Sequence, residues 1–214
     1  MKSRPNLLAG EKLQRAPKQK RSHEKRLRLH AAALALFAEK GYEGTSVGAI
    51  ARRARLPVGS FYQHYGSKRQ LLLVLMDELL EKLSTIDLRP GGRGVRSGIE
   101  GMLRAAFSRD LEYLGVCRAW QEAALSNPDI ASKQYEIQAW TTARARGVFE
   151  LLQKLPGARN DVDINGLARG MDAFFWSLLG RAIQMRKAEL DDWIHTATHL
   201  IYHAILTDSA EKRN

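Results

Sequence analysis

The stretch from Thr45 to Leu72 reads TSVGAIARRARLPVGSFYQHYGSKRQLL, and its side chains suit the gripping of an anion. Arg52 and Arg53 sit together where a short helix can present both to phosphate oxygens. Pro57, Val58, Gly59 and Ser60 are short and leave backbone N–H groups open to close approach by a phosphate or a base edge. Lys68 stands at the start of a further helix, where a cation opposes the helix dipole and a role facing phosphate explains it better than helix stability does. Bond-cleaving chemistry finds no comparable set. Of His23, His30, His64, His195, His199 and His203, only the last three recur at i, i+4, with no carboxylate or cysteine motif at hydrolase spacing, and they read as helix-surface histidines before they read as metal ligands. The chain is expected not to be an enzyme and to need neither metal nor cofactor.

Charge agrees with an anionic partner once it is located along the chain. Through Gln70 there are sixteen Lys and Arg against four acids, a balance of +12, whereas the remaining 144 residues carry eighteen bases against nineteen acids. A basic segment on a near-neutral remainder is the footprint of a polyanion binder, because each phosphate neutralised releases condensed counterions; a solvated basic face is the plainer alternative. With 44% hydrophobic and 27% charged residues, the 214-residue chain can bury an ordinary core. It has no signal-like opening and no apolar run long enough to cross a membrane, so a cytoplasmic location without membrane association is expected. Cys117 is the single cysteine and reads as a half-buried structural thiol.

The elements that must position these residues are all helical. Residues 1–22 are polar, basic and broken by Pro5 and Pro17, which reads as a flexible arm. Its Lys18, Lys20 and Arg21 can enter a minor groove or stay unengaged. A first helix follows, with Leu27, Ala31, Leu34 and Phe37 on one stripe and Gly41 at its C-terminal cap. Thr45 or Ser46 caps a second, short helix to about Ala54; Pro57 closes a turn, and a third runs from about Val58 to Tyr65. Two short helices around a tight turn describe a helix-turn-helix whose second helix lies in the major groove. Ser67 to Gln70 spells a capping box for a fourth helix, with Leu71, Leu72, Leu75, Leu79 and Leu83 inward. Pro90 to Gly94 breaks the chain, after which Asn127-Pro128 opens a long helix to Leu155, and the last two helices span about 164–187 and 190–206.

Thr45, Ile50, Ala51, Ala54, Phe61-Tyr62, His64-Tyr65, Lys68 and Leu71-Leu72, preceded by Glu39-Lys40-Gly41-Tyr42, resemble the signature of the tetracycline-repressor (TetR) family of transcriptional regulators. The motif covers about a quarter of the chain. The resemblance implies that Thr45, Tyr62, His64 and Lys68 hold the DNA backbone while Val58, Gly59, Ser60 and Gln63 approach the bases, with Arg52 in reach of phosphate. One departure is Arg55, where the family often has glycine; a left-handed arginine there costs about 1 kcal/mol.

For the remainder of the chain the resemblance implies a ligand cavity between helices and a dimer made by the last two. Phe107, Trp120, Trp140, Asp172, Phe174 and Phe175 are the candidate cavity residues, although most aromatics of a bundle are core. Asp172, an acid in an apolar helix, reads either as the partner of Arg169 or Arg104 or as a polar anchor for a ligand. Phe175, Leu178, Trp193, Ile194, Ala197, Leu200, Ile201 and Ile205 are the candidate dimer surface, because the final helix is apolar over a wider arc than one core requires. The expectation is an all-α protein: a three-helix DNA-binding domain over 23–70, a ligand-binding and dimerisation bundle over 71–208 and a tail over 209–214. As a homodimer it would present two recognition helices to a near-palindromic duplex operator and be released, as a repressor is, by a small apolar or aromatic effector. The competing expectation is a sequence-nonspecific nucleic-acid binder.

Overall fold

The structure, a computed structural model, describes residues 3–13, 20–85, 94–110, 113–182 and 185–206, with the side chains of 106–110 and 182 left out of the description. Its regular elements there are α1 (Lys20–Lys40), α2 (Val47–Arg53), α3 (Val58–Tyr62), α4 (Lys68–Ser84), α5 (Val95–Asp110), α6 (Leu114–Ser126), α7 (Pro128–Leu152), α8 (Ile164–Ala182) and α9 (Lys187–Ile205). An isolated antiparallel bridge between Ala158 and Leu206 is the extent of β pairing among the described residues. The all-α expectation holds. No helix among these residues is long and apolar enough to cross a membrane.

Two compact units divide the chain. A head comprises Pro5–Lys82 and Glu112–Gln134, and a body comprises Leu83–Leu111 and Tyr135–Asn214 with Met1–Arg4. The boundary expected at Gln70 thus falls inside α4, whose Leu71, Leu72, Leu73, Leu75, Met76, Leu79 and Leu80 are all buried.

In the head, α1 stops where Gly41 takes φ +71 and returns its N–H to the Phe37 carbonyl at 3.0 Å. The buried face of α1 is Leu29, His30, Ala32, Ala33, Leu36 and Phe37. The expected stripe is therefore rotated: Leu27 and Ala31 are exposed, because both α2 and α6 cover this helix. Close approach of α6 requires Gly115, where an added Cβ would run into the Leu34 carbonyl oxygen and lie 2.9 Å from the Ala38 nitrogen. Arg118 fixes the same contact by donating to the Ala38 carbonyl at 2.7 Å. At α4, the Ser67 hydroxyl accepts from the Gln70 N–H at 3.1 Å and the Gln70 carboxamide oxygen accepts from Gly66 N–H at 2.7 Å, so the capping signal is realised with its return bond one residue early.

Residues 5–13 are not the free arm their composition suggests. Leu7 is fully buried, Arg69 pairs with Glu11 at 2.8 Å, and the Gln70 amide donates to the Lys12 carbonyl at 3.0 Å. Lys18 lies outside the described residues, while Lys20 and Arg21 belong to α1.

The Asn127 side chain caps α7, accepting from the N–H groups of Asp129 and Ile130 at 3.1 and 3.2 Å, with Pro128 at the first helical position. In the body α7 ends at Leu152, α8 at Ala182, and α9 opens at Lys187, each a few residues from the expected bounds. Helix α9 packs on α5, and its buried residues are Ile194, Ala197, Thr198, Ile201, Tyr202 and Ile205. Arg104 supports this packing by pairing with Glu100 at 2.9 Å and with Asp191.

Candidate nucleic-acid interface and ligand cavity

The head builds its reading surface from α2, the turn after it and α3. Ser46 caps α2 by accepting the Ala49 N–H at 3.1 Å. Ile50, Ala51 and Ala54 are buried, and Phe61 and Tyr65 anchor the other side. Between the helices Arg55 takes φ +54, so the strained left-handed turn is formed without glycine. Arg28 of α1 holds that turn by donating to the Arg55 carbonyl at 2.8 Å.

This scaffold turns Arg52, Val58, Gly59, Tyr62 and Gln63 outward. Val58 is 45% exposed and Tyr62 52%, high values for large apolar bodies, and a Cβ added at Gly59 would meet nothing within 4 Å. The start of α3 is thus an open, shallow surface with a phenol and a carboxamide beside it. Arg53, also exposed, is engaged by Glu39 at 2.7 Å.

Four of the expected DNA contacts are placed differently. Thr45 is 1% exposed, and its hydroxyl donates inward, 2.7 Å from the Gly41 carbonyl oxygen and 3.2 Å from that of Leu36. It locks the α1–α2 loop and has no surface to offer a phosphate. Ser60 faces into the head and is buried, so it cannot approach a base edge from this position. Lys68 donates from Nζ to the Tyr42 carbonyl at 2.7 Å and lies 3.9 Å from the centre of the Tyr42 ring, with burial pushing its pKa down. That is a loop-tethering role, reinforced by Glu122, whose carboxylate accepts from Tyr42 N–H at 2.5 Å and Glu43 N–H at 3.4 Å. His64 is half-buried, with Nε2 enclosed and lacking a hydrogen-bond partner; burial, then the charges of Arg26, Lys25 and His30, push its pKa down and favour the neutral ring.

Beneath α3 runs a polar relay that the pattern of the sequence does not announce. Tyr65 meets Nε2 of His30, whose Nδ1 lies 3.2 Å from Glu78, and Glu78 also accepts from Arg26 at 3.1 Å. Burial pushes the Tyr65 phenol well above its ordinary range. The relay fixes α1, the end of the α3 segment and α4 to one another.

The body holds a cavity of about 150 Å³. Its walls are mostly apolar, with Met102, Leu103, Trp140, Val148, Phe149, Met171 and Phe175 among them, and its polar members are Thr141, Arg144 and Asp172. Trp140, Asp172 and Phe175 therefore share one cavity. Trp120 does not: it is fully buried in the head, with its indole N–H donating to Gln134 at 2.7 Å. Phe174 instead packs on Trp193, ring centres 5.6 Å apart, and the side chain of Phe107 lies outside the description. Asp172 meets neither expected arginine, since Arg104 pairs with Glu100 and Asp191 and Arg169 faces Asp163; its carboxyl is hydrogen-bonded to Thr141 and Thr142, and burial pushes its pKa up. Arg144 was absent from the expected set, although it lies four residues from both Trp140 and Val148 on the same face of α7. Its guanidinium sits 5.0 Å from the Trp140 ring centre and donates to the Leu83 carbonyl at 3.1 Å.

The expected dimer surface also changes. Leu178, Ile194, Ala197, Ile201 and Ile205 are buried within their own chain, and Phe175 lines the cavity, which leaves Leu200, 49% exposed, and half-buried Trp193 from that set at the surface.

Residues 29–75, from α1 into α4, match the family described as bacterial regulatory proteins, tetR family. The HTH-type transcriptional regulator TcmR of Streptomyces glaucescens is 28% identical over 136 residues, covering 62% of this chain and 59% of that protein. The A-factor receptor protein of Streptomyces griseus is 32% identical over 88 residues, 41% of this chain and 30% of that protein. The chain thus spans less than two thirds of either relative. Among solved structures, regulatory protein TetR from Rhodobacter sphaeroides superposes with a TM-score of 0.67 at 21% identity over 85% of this chain and 99% of that one, a likeness of fold.

Proposed function

We propose that this chain, which belongs through residues 29–75 to the tetR family of bacterial regulatory proteins, is a transcriptional regulator that binds duplex DNA through α3 and responds to a small molecule held in the body cavity. The observation that carries the reading is the outward set Val58, Gly59, Tyr62 and Gln63 on a short helix braced from beneath, in the most basic third of the chain. Val58 and Gly59 let α3 approach base edges, Gln63 can pair with an adenine edge, and Tyr62 and Arg52 reach the phosphates alongside. A homodimer pairing through surface left on α8 and α9, Trp193 and Leu200 included, would set two such helices about one turn of DNA apart, roughly 34–36 Å, and demand a near-palindromic site. An effector that favours the conformer with poorly spaced helices then releases the operator.

Fluorescence anisotropy with a labelled duplex from upstream of the gene tests this against a scrambled duplex of equal length. Preference for the native duplex, lost on Gln63→Ala and weakened about tenfold or more on Tyr62→Ala, supports the reading. Equal affinity for both duplexes leaves a nonspecific nucleic-acid binder instead.

A further inference from the structure

A further recess lies in the head, an open groove of about 460 Å³ between α1 and the end of α2. Resting on the DNA-binding reading above, we infer that it seats the sugar–phosphate backbone of the duplex read by α3, with Arg28 and Arg55 as its phosphate contacts.

Shape comes from the floor. Ala31, Ala32, Ala35 and Ala54 line the groove, and Arg28, Ala31, Ala32 and Ala35 share one face of α1 by their spacing. Methyl groups on that face leave room for a group as bulky as a phosphate to come close. Charge comes from the rim, where the ionisable members of the lining are Arg28 of α1, Arg53 of α2 and Arg55 of the turn. Arg53 is spent on Glu39 at 2.7 Å. Arg28 donates to a neutral group, the Arg55 carbonyl, at 2.8 Å, so its charge is retained along with most of its five N–H donors. Arg55 is exposed, and among the described residues neither it nor Arg28 has an acidic partner.

Backbone conformation and place in the chain decide what fills the groove. At φ +54 a glycine would sit without strain, whereas an arginine there carries a conformational cost. A strained residue held by its surroundings points to a use for its side chain, and this side chain borders the groove. Downstream, Pro57, Val58 and Gly59 are exposed and Leu56 half-buried, so open surface continues from the groove into the start of α3. A helix that reads bases has phosphate strands alongside it, and two guanidinia suit neighbouring phosphates of one strand. An acidic protein segment would meet the same charge but would leave the continuity with α3 unused.

Fluorescence anisotropy of the full chain on the labelled upstream duplex, repeated across about 0.1–0.3 M KCl, tests the inference. Arg55→Gly removes the guanidinium while easing the turn, so it should melt no lower than the unaltered chain yet bind about five- to tenfold more weakly at the low-salt end. The slope of log affinity against log salt should shrink by roughly 0.9, the share of one phosphate contact, and the loss should be equal on native and scrambled duplexes. Arg55→Lys, which keeps charge without the fork, should fall between. Adding Arg28→Ala to Arg55→Gly should shrink the slope by roughly twice as much, with circular dichroism confirming a folded chain. Unchanged slope and affinity in Arg55→Gly overturn the inference, as does a loss confined to the native duplex. Inorganic phosphate at matched ionic strength should displace the duplex no more than chloride does; displacement that Arg55→Gly abolishes would make the groove a free-anion site and overturn the assignment. A labelled oligoglutamate that binds more tightly than the duplex, and is lost on Arg55→Gly, overturns it in favour of a protein partner. If the unaltered chain prefers neither duplex but Arg55→Gly still flattens the slope, the regulatory reading fails and the groove stands; if the native duplex is preferred and Arg55→Gly changes nothing, the reverse holds.

Discussion

Glu78 in the head and Asp172 in the body are both carboxyls on largely apolar helices, and their surroundings drive them in opposite directions. Burial alone would raise Glu78, but the hydrogen bond and charge of His30, with Arg26 and Lys82, hold it below its ordinary range. Burial raises Asp172 as well, and the hydroxyls of Thr141 and Thr142 offset that only in part. The head surrounds an acid with cations and so fixes one arrangement of α1, α3 and α4. The body gives its acid hydroxyl partners on the wall of a cavity. The two units thus satisfy their buried carboxyls by different means.

The largest test of this contrast is Trp120→Ala. Trp120 belongs to the packed head, so urea unfolding should show a loss of about 3–5 kcal/mol; unchanged stability with lost ligand binding would return it to the cavity. Next comes Thr45→Val, which removes the hydroxyl donor from the Gly41 and Leu36 carbonyls at a cost of about 1–3 kcal/mol. DNA affinity of the folded fraction should not change, and weakened binding at full stability would restore Thr45 to the interface.

The two acids supply a smaller effect with opposite signs. Because Glu78 is lowered in the folded state, its contribution is present above its ordinary value of 4.5 and is lost as pH falls through the depressed one. Because Asp172 is raised, its contribution is full below the ordinary 3.8 and is lost as pH rises through the elevated value. Chemical unfolding across pH should therefore show Glu78→Gln removing part of the acid-side loss and Asp172→Asn removing part of the loss on the other side. Identical profiles for the two variants would erase the distinction between the regions. Smallest is Arg55→Gly. Relief of a left-handed arginine, about 1–2 kcal/mol, is largely offset by the extra freedom glycine brings to the unfolded chain, about 0.5–1 kcal/mol, so a calorimetric melt should rise only slightly.

Features set by neighbours in the chain were legible from sequence. The stop at Gly41 and the caps at Ser67 and Asn127 depend on a few consecutive residues, and each formed near its expected place, whereas the conformation at Arg55, left open by the sequence, is the left-handed one. Features set by a distant partner were not. Apolar periodicity locates a stripe on a helix but not which neighbour covers it, so α1 is rotated relative to its Leu27–Ala31 reading and the Ile194, Ile201 and Ile205 row of α9 is spent on its own chain. Thr45 and Ser60 have side chains that suit phosphate or base contacts, and only the packing reveals that they point inward. Arg144 escapes a reading by pattern because arginine ordinarily marks a solvated face, whereas its guanidinium sits 5.0 Å from the Trp140 ring centre.

Leu7 bears on how the protein should be handled. Trimming the chain to begin at α1 would discard its side chain and strip Arg69 and Gln70 of their contacts with Glu11 and Lys12. A shortened version would uncover the apolar surface against which Leu7 is buried, inviting self-association at the concentrations used in binding assays. The short stretch that looks most dispensable on paper acts as a plug, and keeping it is the safer basis for any experiment on the head.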